Sequence, residues 1–436
     1  MASETPLIEN LPDGTLRHFH PVTEREVRNV LGRTFRPNRA RKDAPPPQPL
    51  NGTRHRTTCD FCSARRLETP PEKTRWFKDA SGSWVSRSFI PPSEVLEGPC
   101  DFRRIANLYE IVPYDTWVKC HGFQPTDDRR AWREAYLSDP TGTKHIETLA
   151  RHKLRKAGWD AERLAALDRA TAHRLTEGLF FGSHDLIVSD PHYRPDARMD
   201  NEVLGSGDMD PDHHHHYLLA ATETAKDILD HNPLARYVAV FQNYLAPSGA
   251  SFEHLHKQVV GMDVPGPYPT ALLKSAREIP DLFQRRFLEP SLSRGWVIAG
   301  NAHALAVAAF GVEYPSVWVF SRSRASRPWE LSTEEMRGFS DILQACHAAT
   351  GSDIATNEEW NYAPLGEPGL IPFHVTLKWR VNVHAGFEGV SGVIISPLGP
   401  NEVRDRMVER LRVLQAEGRL GDVNIAPTTV EPLPRL

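Results

Sequence analysis

Apolar and polar residues alternate in short runs at many points along the chain, and the runs are separated by stretches whose apolar positions recur at the helical period. Strand-like alternation marks residues 84–90 (WVSRSFI), 103–113 (RRIANLYEIVP), 182–192 and the approach to Gln258, then 295–301 (GWVIAGN), 303–310 (HALAVAAF), 316–323 (SVWVFSRS) and 371–381 (IPFHVTLKWRV). Helical periodicity with polar outer faces marks residues 127–137, 144–158 and 161–178, then 213–232, one long helix over 269–290, and 333–350. Strands, a helix and a His-bearing strand follow one another in both halves, which predicts an α+β fold made of a degenerate tandem repeat, with antiparallel sheets and packed helices. Residues 1–50 are polar and end in a proline-rich run (DAPPPQPL), so they are expected to form an N-terminal arm. The first half then covers 51–265, with a helical insertion at about 115–178, and the second half covers 266–436.

Composition narrows the class. The chain has 436 residues, 40% hydrophobic and 25% charged, with a formal net charge of -4. That balance fits a globular enzyme and gives no electrostatic reason to expect nucleic acid or an anionic membrane as partner. No apolar run approaches the ~20 residues of a membrane span, and the N-terminus lacks the basic and apolar regions of a signal peptide, so a cytoplasmic location is expected. Five cysteines are too few and too odd in number for a disulfide framework. Cys59 and Cys62, in TCDFC, are therefore read as metal-binding or redox residues. A thioredoxin-like role fails for want of a surrounding βαβ pattern, and the other two ligands of a zinc site would have to come from elsewhere.

The densest chemistry lies in 241–258, FQNYLAPSGASFEHLHKQ. Residues two apart on a strand share a face, so His254, His256 and Gln258 look into one site while Leu255 packs behind. One imidazole at this spacing can bind a metal and the other can attack an electrophile, with the Gln258 amide free to hold an anionic oxygen. The run Asp212 to His216 is internal, begins a helix, and is read as a polar helix start.

The order Asn243, a glycine-containing turn, Ser251, then His254-Leu-His256-Lys-Gln258 resembles the active-site segment of the galactose-1-phosphate uridylyltransferase and ADP-glucose phosphorylase family, within the histidine-triad superfamily. The resemblance implies two histidine-triad-like half-domains. It implies nucleotidyl transfer from a nucleotide sugar to inorganic phosphate or a sugar phosphate, through a nucleotidyl-His256 intermediate with Gln258 assisting. It implies zinc held by Cys59, Cys62, His192 and His254, with His184 and His121 as alternatives for the third ligand. It assigns Arg33, Arg36, Asn107, Asn243, Ser251, Phe387 and Glu388 to substrate binding, and a homodimer as the working unit.

The chain departs from that pattern in several places. His374 is followed by Thr376 two residues on, so no second HxHxQ and no second metal is expected; Ile394 stands where the uridylyltransferases carry a sugar-binding Gln, which brings the segment closer to the phosphorylases. The insertion at 115–178 has no counterpart. Gln258 replaces the third His of the histidine-triad hydrolases, which favours transfer over hydrolysis. A dinucleoside polyphosphate phosphorylase or hydrolase, or a nucleotide sensor without turnover, are the alternative functions.

Overall fold

The computed structural model describes residues 6–30 and 46–434. Twelve strands form one sheet: β1 (Glu72–Lys78), β2 (Trp84–Ser88), β3 (Phe102–Ala106), β4 (His184–Ser189), β5 (Tyr237–Tyr244), β6 (His256–Met262), β7 (Val297–Gly300), β8 (Ala304–Ala308), β9 (Ser316–Ser321), β10 (Thr356–Asn361), β11 (His374–Trp379) and β12 (Asn424–Ile425). Their order across the sheet is β12-β7-β8-β9-β11-β10-β5-β6-β4-β3-β1-β2. Every neighbouring pair is antiparallel. Outward from the central β5–β10 pair the order is the same on both sides: β6, β4, β3 in one direction and β11, β9, β8 in the other.

Two long helices cover one face and bury its side chains. Helix α1 (Pro211–His231) precedes β5, and α2 (Thr333–Thr350) precedes β10. Asp210 caps α1 by accepting the backbone N–H groups of Asp212 and His213, and Ser332 with Glu335 forms a capping box on α2. Leu218, Ala221, Ala225 and Ile228 of α1, and Phe339, Ile342 and Leu343 of α2, join the strand residues in a single core that spans both halves. Among the described residues no helix is long and apolar enough to cross a membrane.

The structure differs from the sequence expectations in several places. Within the expected N-terminal arm, Ile8–Asn10, Leu16–Phe19 and Glu26–Asn29 form a small antiparallel sheet, extended in parallel by Ile394–Ile395. His18 and Val27 are its buried anchors, and His18 Nδ1 accepts the Gly311 N–H at 2.6 Å. The long helix expected over 269–290 is interrupted: Pro267–Glu278 ends before Pro280, which cannot continue the ladder, and helical structure resumes at Phe283–Leu288. Residues around Phe387 form a short helix, Gly386–Ser391, rather than a strand approach, because Glu388 accepts the Ala385 N–H and so closes the first turn. His214 and His215 are buried against α2 rather than solvated, and His216 stacks on Trp84 at 4.1 Å. The stretch 115–178 is helical, and Asp127–Ser138 and Pro140–Lys156 pack against each other beside the first half of the sheet.

Candidate active site and metal centre

The loop after Arg54–Thr57 brings Cys59 and Cys62 beneath the end of β4, where His192 follows a cis Asp190–Pro191 bond. His254 comes from the other side, two residues before β6. These four residues form the one candidate metal cluster found among the described residues. The sulfurs are 3.7 Å apart; Cys59 Sγ lies 3.7 Å from His192 Nδ1 and 3.4 Å from His254 Nδ1, and Cys62 Sγ lies 3.3 Å from His192 Nδ1. A zinc ion with Zn–S near 2.3 Å and Zn–N near 2.0 Å would give tetrahedral edges of about 3.3–3.8 Å, so the donor set fits. His254 also meets the usual requirement for an outer partner: its Nε2–H donates to the Ser189 carbonyl at 2.6 Å, which fixes Nδ1 as the ligating nitrogen. With four protein donors the site is closed.

His256 begins β6. Its Nδ1 lies 2.8 Å from the His254 carbonyl oxygen, which can only accept, so Nδ1 carries the proton and Nε2 keeps its lone pair. Burial lowers the ring to about 4, against the pull of that carbonyl, and the imidazole is neutral and nucleophilic near pH 7.

A cavity of about 690 Å³ opens over this ring, lined by His256, Gln258, Gly249, Ser251 and Phe252 together with Phe61, Ile105, Asn107, Tyr109 and Leu186. Between β5 and β6 the chain turns through Leu245 and Gly249, both with positive φ, and Ser248 Oγ donates to the Leu245 carbonyl at 2.7 Å, which holds the loop that carries Ser251. The helical stretch 115–178 reaches the same cavity, since His152 and Lys156 from Pro140–Lys156 complete its wall. Lys156 is exposed and has no ion-pair partner among the described residues. That helix is tied to the segment that follows Cys62 by His145 Nε2, which donates to the Thr69 carbonyl at 2.9 Å.

The cavity therefore gathers His256, Gln258, Asn107 and Ser251, and the Cys/His cluster gathers the four residues expected as metal ligands. Two groups of expected site residues do not line it. Asn243 lies on β5 but does not line the cavity; its Oδ1 accepts from Asn357 Nδ2 at 2.7 Å. Phe387 and Glu388 sit apart from it on the exposed helix Gly386–Ser391. Arg33 and Arg36 lie outside the described residues. His184, considered as a metal ligand, is elsewhere: it lines the cavity with Nε2 3.1 Å from Gln258 Oε1. His152, Lys156, Tyr109 and Phe252 were not foreseen. Their signal in the sequence is weak, since a lysine at a helix C-terminus reads first as a complement to the helix dipole.

The fold is shared with solved structures of an ADP-glucose phosphorylase and a GalT-like protein. An ADP-glucose phosphorylase from Arabidopsis thaliana is 25% identical to this chain over 237 residues, a match that spans 52% of this chain and 65% of that protein, less than two thirds of its length. The crystal structure of an ADP-glucose phosphorylase from Arabidopsis thaliana with bound ADP-glucose superimposes with a TM-score of 0.56 at 19% identity, covering 90% of this chain and 98% of that one. A GalT-like protein from Arabidopsis thaliana gives 0.50 at 19% identity, over 80% and 91% of the two chains. A family model described as a domain of unknown function, DUF4921, matches residues 11–431, and the chain belongs to that family.

Proposed function

We propose that the protein is a nucleotidyltransferase that moves a nucleoside monophosphate from a nucleotide sugar to inorganic phosphate or a sugar phosphate through a covalent intermediate on His256. The observation that carries this reading is the imidazole itself: its Nδ1–H is committed to the His254 carbonyl, and the ring lines a cavity large enough for a nucleotide. His256 Nε2 attacks the α-phosphorus, the bond from that phosphorus to the bridging oxygen breaks, and the sugar phosphate leaves. The Nδ1–H remains on the ring, and its carbonyl partner stabilises the positive charge that the ring acquires. An acceptor phosphate oxygen then attacks the same phosphorus, the P–N bond breaks, and the imidazole is restored.

Charge on the phosphoryl oxygens is met by fixed donors, the Gln258 amide and Ser251, without reorganisation at the moment of reaction. Zinc held by Cys59, Cys62, His192 and His254 would be structural, and would fix the backbone of His254, the residue whose carbonyl orients His256. We assign Asn107 to the nucleoside, Asn243 to the loop beside the phosphates, and Arg33 and Arg36 to the distal phosphate. Phe387 and Glu388, remote from the cavity of their own chain, would serve the sugar end of a second protomer's cavity in a homodimer. The matched strand order about β5–β10 supports two histidine-triad-like halves, only the first of which keeps the reactive set.

The direct test is turnover. With ADP-glucose, UDP-glucose or GDP-glucose and phosphate, the protein releases glucose 1-phosphate with ping-pong kinetics, and His256→Ala reduces the release to background. Sequential kinetics with an active His256→Ala variant would contradict the covalent route.

A further inference from the structure

Strands β4 and β6 pair so that Leu186 faces Gln258 and His184 faces Val260, which sets His184 and Gln258 diagonally on the same side of the sheet. Both line the cavity. The backbone N–H of Ile111 points at His184 Nδ1 from 3.0 Å, and a backbone N–H can only donate, so Nδ1 is the nitrogen with the lone pair. Burial lowers the ring to about 4 although Gln258 opposes the shift, and the ring is neutral near pH 7. Its single proton is therefore on Nε2, and Gln258 Oε1 is the acceptor 3.1 Å away.

We propose that His184 is a positioning residue for Gln258: by binding the amide oxygen it turns the Gln258 amide hydrogens toward the phosphoryl oxygens over His256. A glutamine amide has two faces of nearly equal shape and opposite polarity. With the oxygen turned outward it would repel a phosphate; with the hydrogens outward it donates to one. The backbone that carries the His184 ring is held on both sides. The Asn107 N–H donates to the His184 carbonyl at 2.8 Å. The next residue, Asp185, is locked on the opposite face of β4 by Lys73 Nζ and Arg104 Nη2, each at 2.6 Å. Because the Nε2 proton is committed to Gln258, that nitrogen cannot also accept. Asn107 Nδ2, itself 3.1 Å from it, therefore meets a donor there rather than an acceptor.

The inference rests on the nucleotidyl-transfer reading, and its test separates the two. Single-turnover formation of the adduct, followed by intact mass with ADP-glucose, is compared for the native protein, His184→Leu, His184→Gln, Gln258→Ala and the His184→Leu/Gln258→Ala double variant. His184→Leu slows the step on the order of 10²-fold, as expected for a lost oxyanion donor. Nucleotide affinity changes by less than about threefold. His184→Gln, which returns a donor near the Nε2 position, recovers most of the rate, and His184→Leu adds nothing once Gln258 is gone. Full additivity in the double variant, or a native rate in His184→Leu, overturns the inference. If the native protein forms no adduct with any nucleotide sugar, the transfer reading falls, and the nitrogen-15 spectrum of histidine-labelled protein still decides the geometry. A proton on His184 Nε2 whose signal moves in Gln258→Ala supports it, and a proton on Nδ1 overturns it.

Discussion

Lys257 stands between His256 and Gln258 in sequence and points through the sheet to the other face. There its Nζ lies 2.6 and 2.7 Å from the two carboxylate oxygens of Glu358 on β10, with neither side chain exposed. It lies 4.8 Å from the centre of the Tyr217 ring. Glu358 also takes His347 Nε2 at 2.8 Å and Trp360 Nε1 at 2.6 Å. Burial alone would raise the Glu358 carboxyl, but Lys257 and His347 hold it well below the usual carboxylate range. Lys257→Met keeps much of the shape and removes the cation, leaving a buried carboxylate with two partners in place of three. Removing one member of a buried ion pair costs about 3–5 kcal/mol. At about 2.1 cal/mol/K of unfolding entropy per residue, a chain of this length changes stability by about 0.9 kcal/mol per degree, so the expected fall in Tm is about 3–6 °C. The Lys257→Met/Glu358→Gln double variant carries no buried ion there and recovers at least half of the loss. Circular-dichroism melts of the three proteins at pH 7 make the comparison. A single variant that melts within about 1 °C of the native protein, or a double variant below the single, would refute the account of how β6 is fastened to the second half.

Other outcomes follow from the same geometry. Elemental analysis of the purified protein gives about one zinc per chain, and Cys62→Ser loses the metal and several degrees of Tm; metal-free protein that melts unchanged would remove zinc from the account. Glu110 accepts the Tyr114 N–H at 3.0 Å, its other oxygen is buried without a partner, and burial pushes its carboxyl up to about 7. The folded state therefore binds this proton more tightly than the unfolded chain, so stability falls as pH rises from about 4.5 to 7, by roughly 2 kcal/mol once partial exposure is allowed for. Urea unfolding at pH 5 and pH 8 shows this loss in the native protein and not in Glu110→Gln; parallel behaviour of the two would contradict it. Lys156→Ala weakens nucleotide-sugar binding about tenfold, measured by calorimetry, while the adduct rate at saturation is unchanged; an unchanged Kd would mean that the insertion does not touch the ligand.

The candidate segment was legible because His256 and Gln258 share one strand, where a period of two sets both toward the cavity; His254, two residues before that strand, goes to the Cys/His cluster instead. The members of the Cys/His cluster were named through the family resemblance, although His192 lies 130 residues from Cys62. Two largely buried strands of the sheet, one central and one next to its edge, were not legible. β10 reads TNEEWN and β1 reads EKTRWFK, and neither looks like the interior of a protein. Both are buried because their charges are neutralised by partners far away in the chain: Glu358 by Lys257, and Lys73 by Asp185. A pattern based on hydrophobicity cannot see such pairs. Asn243 was expected in the site from its place in the motif, but its side chain is held by Asn357, from a strand the pattern missed. The approach of the helical stretch 115–178 to the cavity was hidden for a similar reason, since nothing local ties Lys156 to a cavity floored by β4 and β6.

Intact-mass spectrometry after mixing the protein with a nucleotide sugar, in the absence of any acceptor, tests the central claim most directly. The account predicts a gain of one nucleoside monophosphate on the native chain, its discharge when phosphate is added, and no gain in His256→Ala. An adduct that persists in His256→Ala, or glucose 1-phosphate released without any adduct on the native chain, would contradict it.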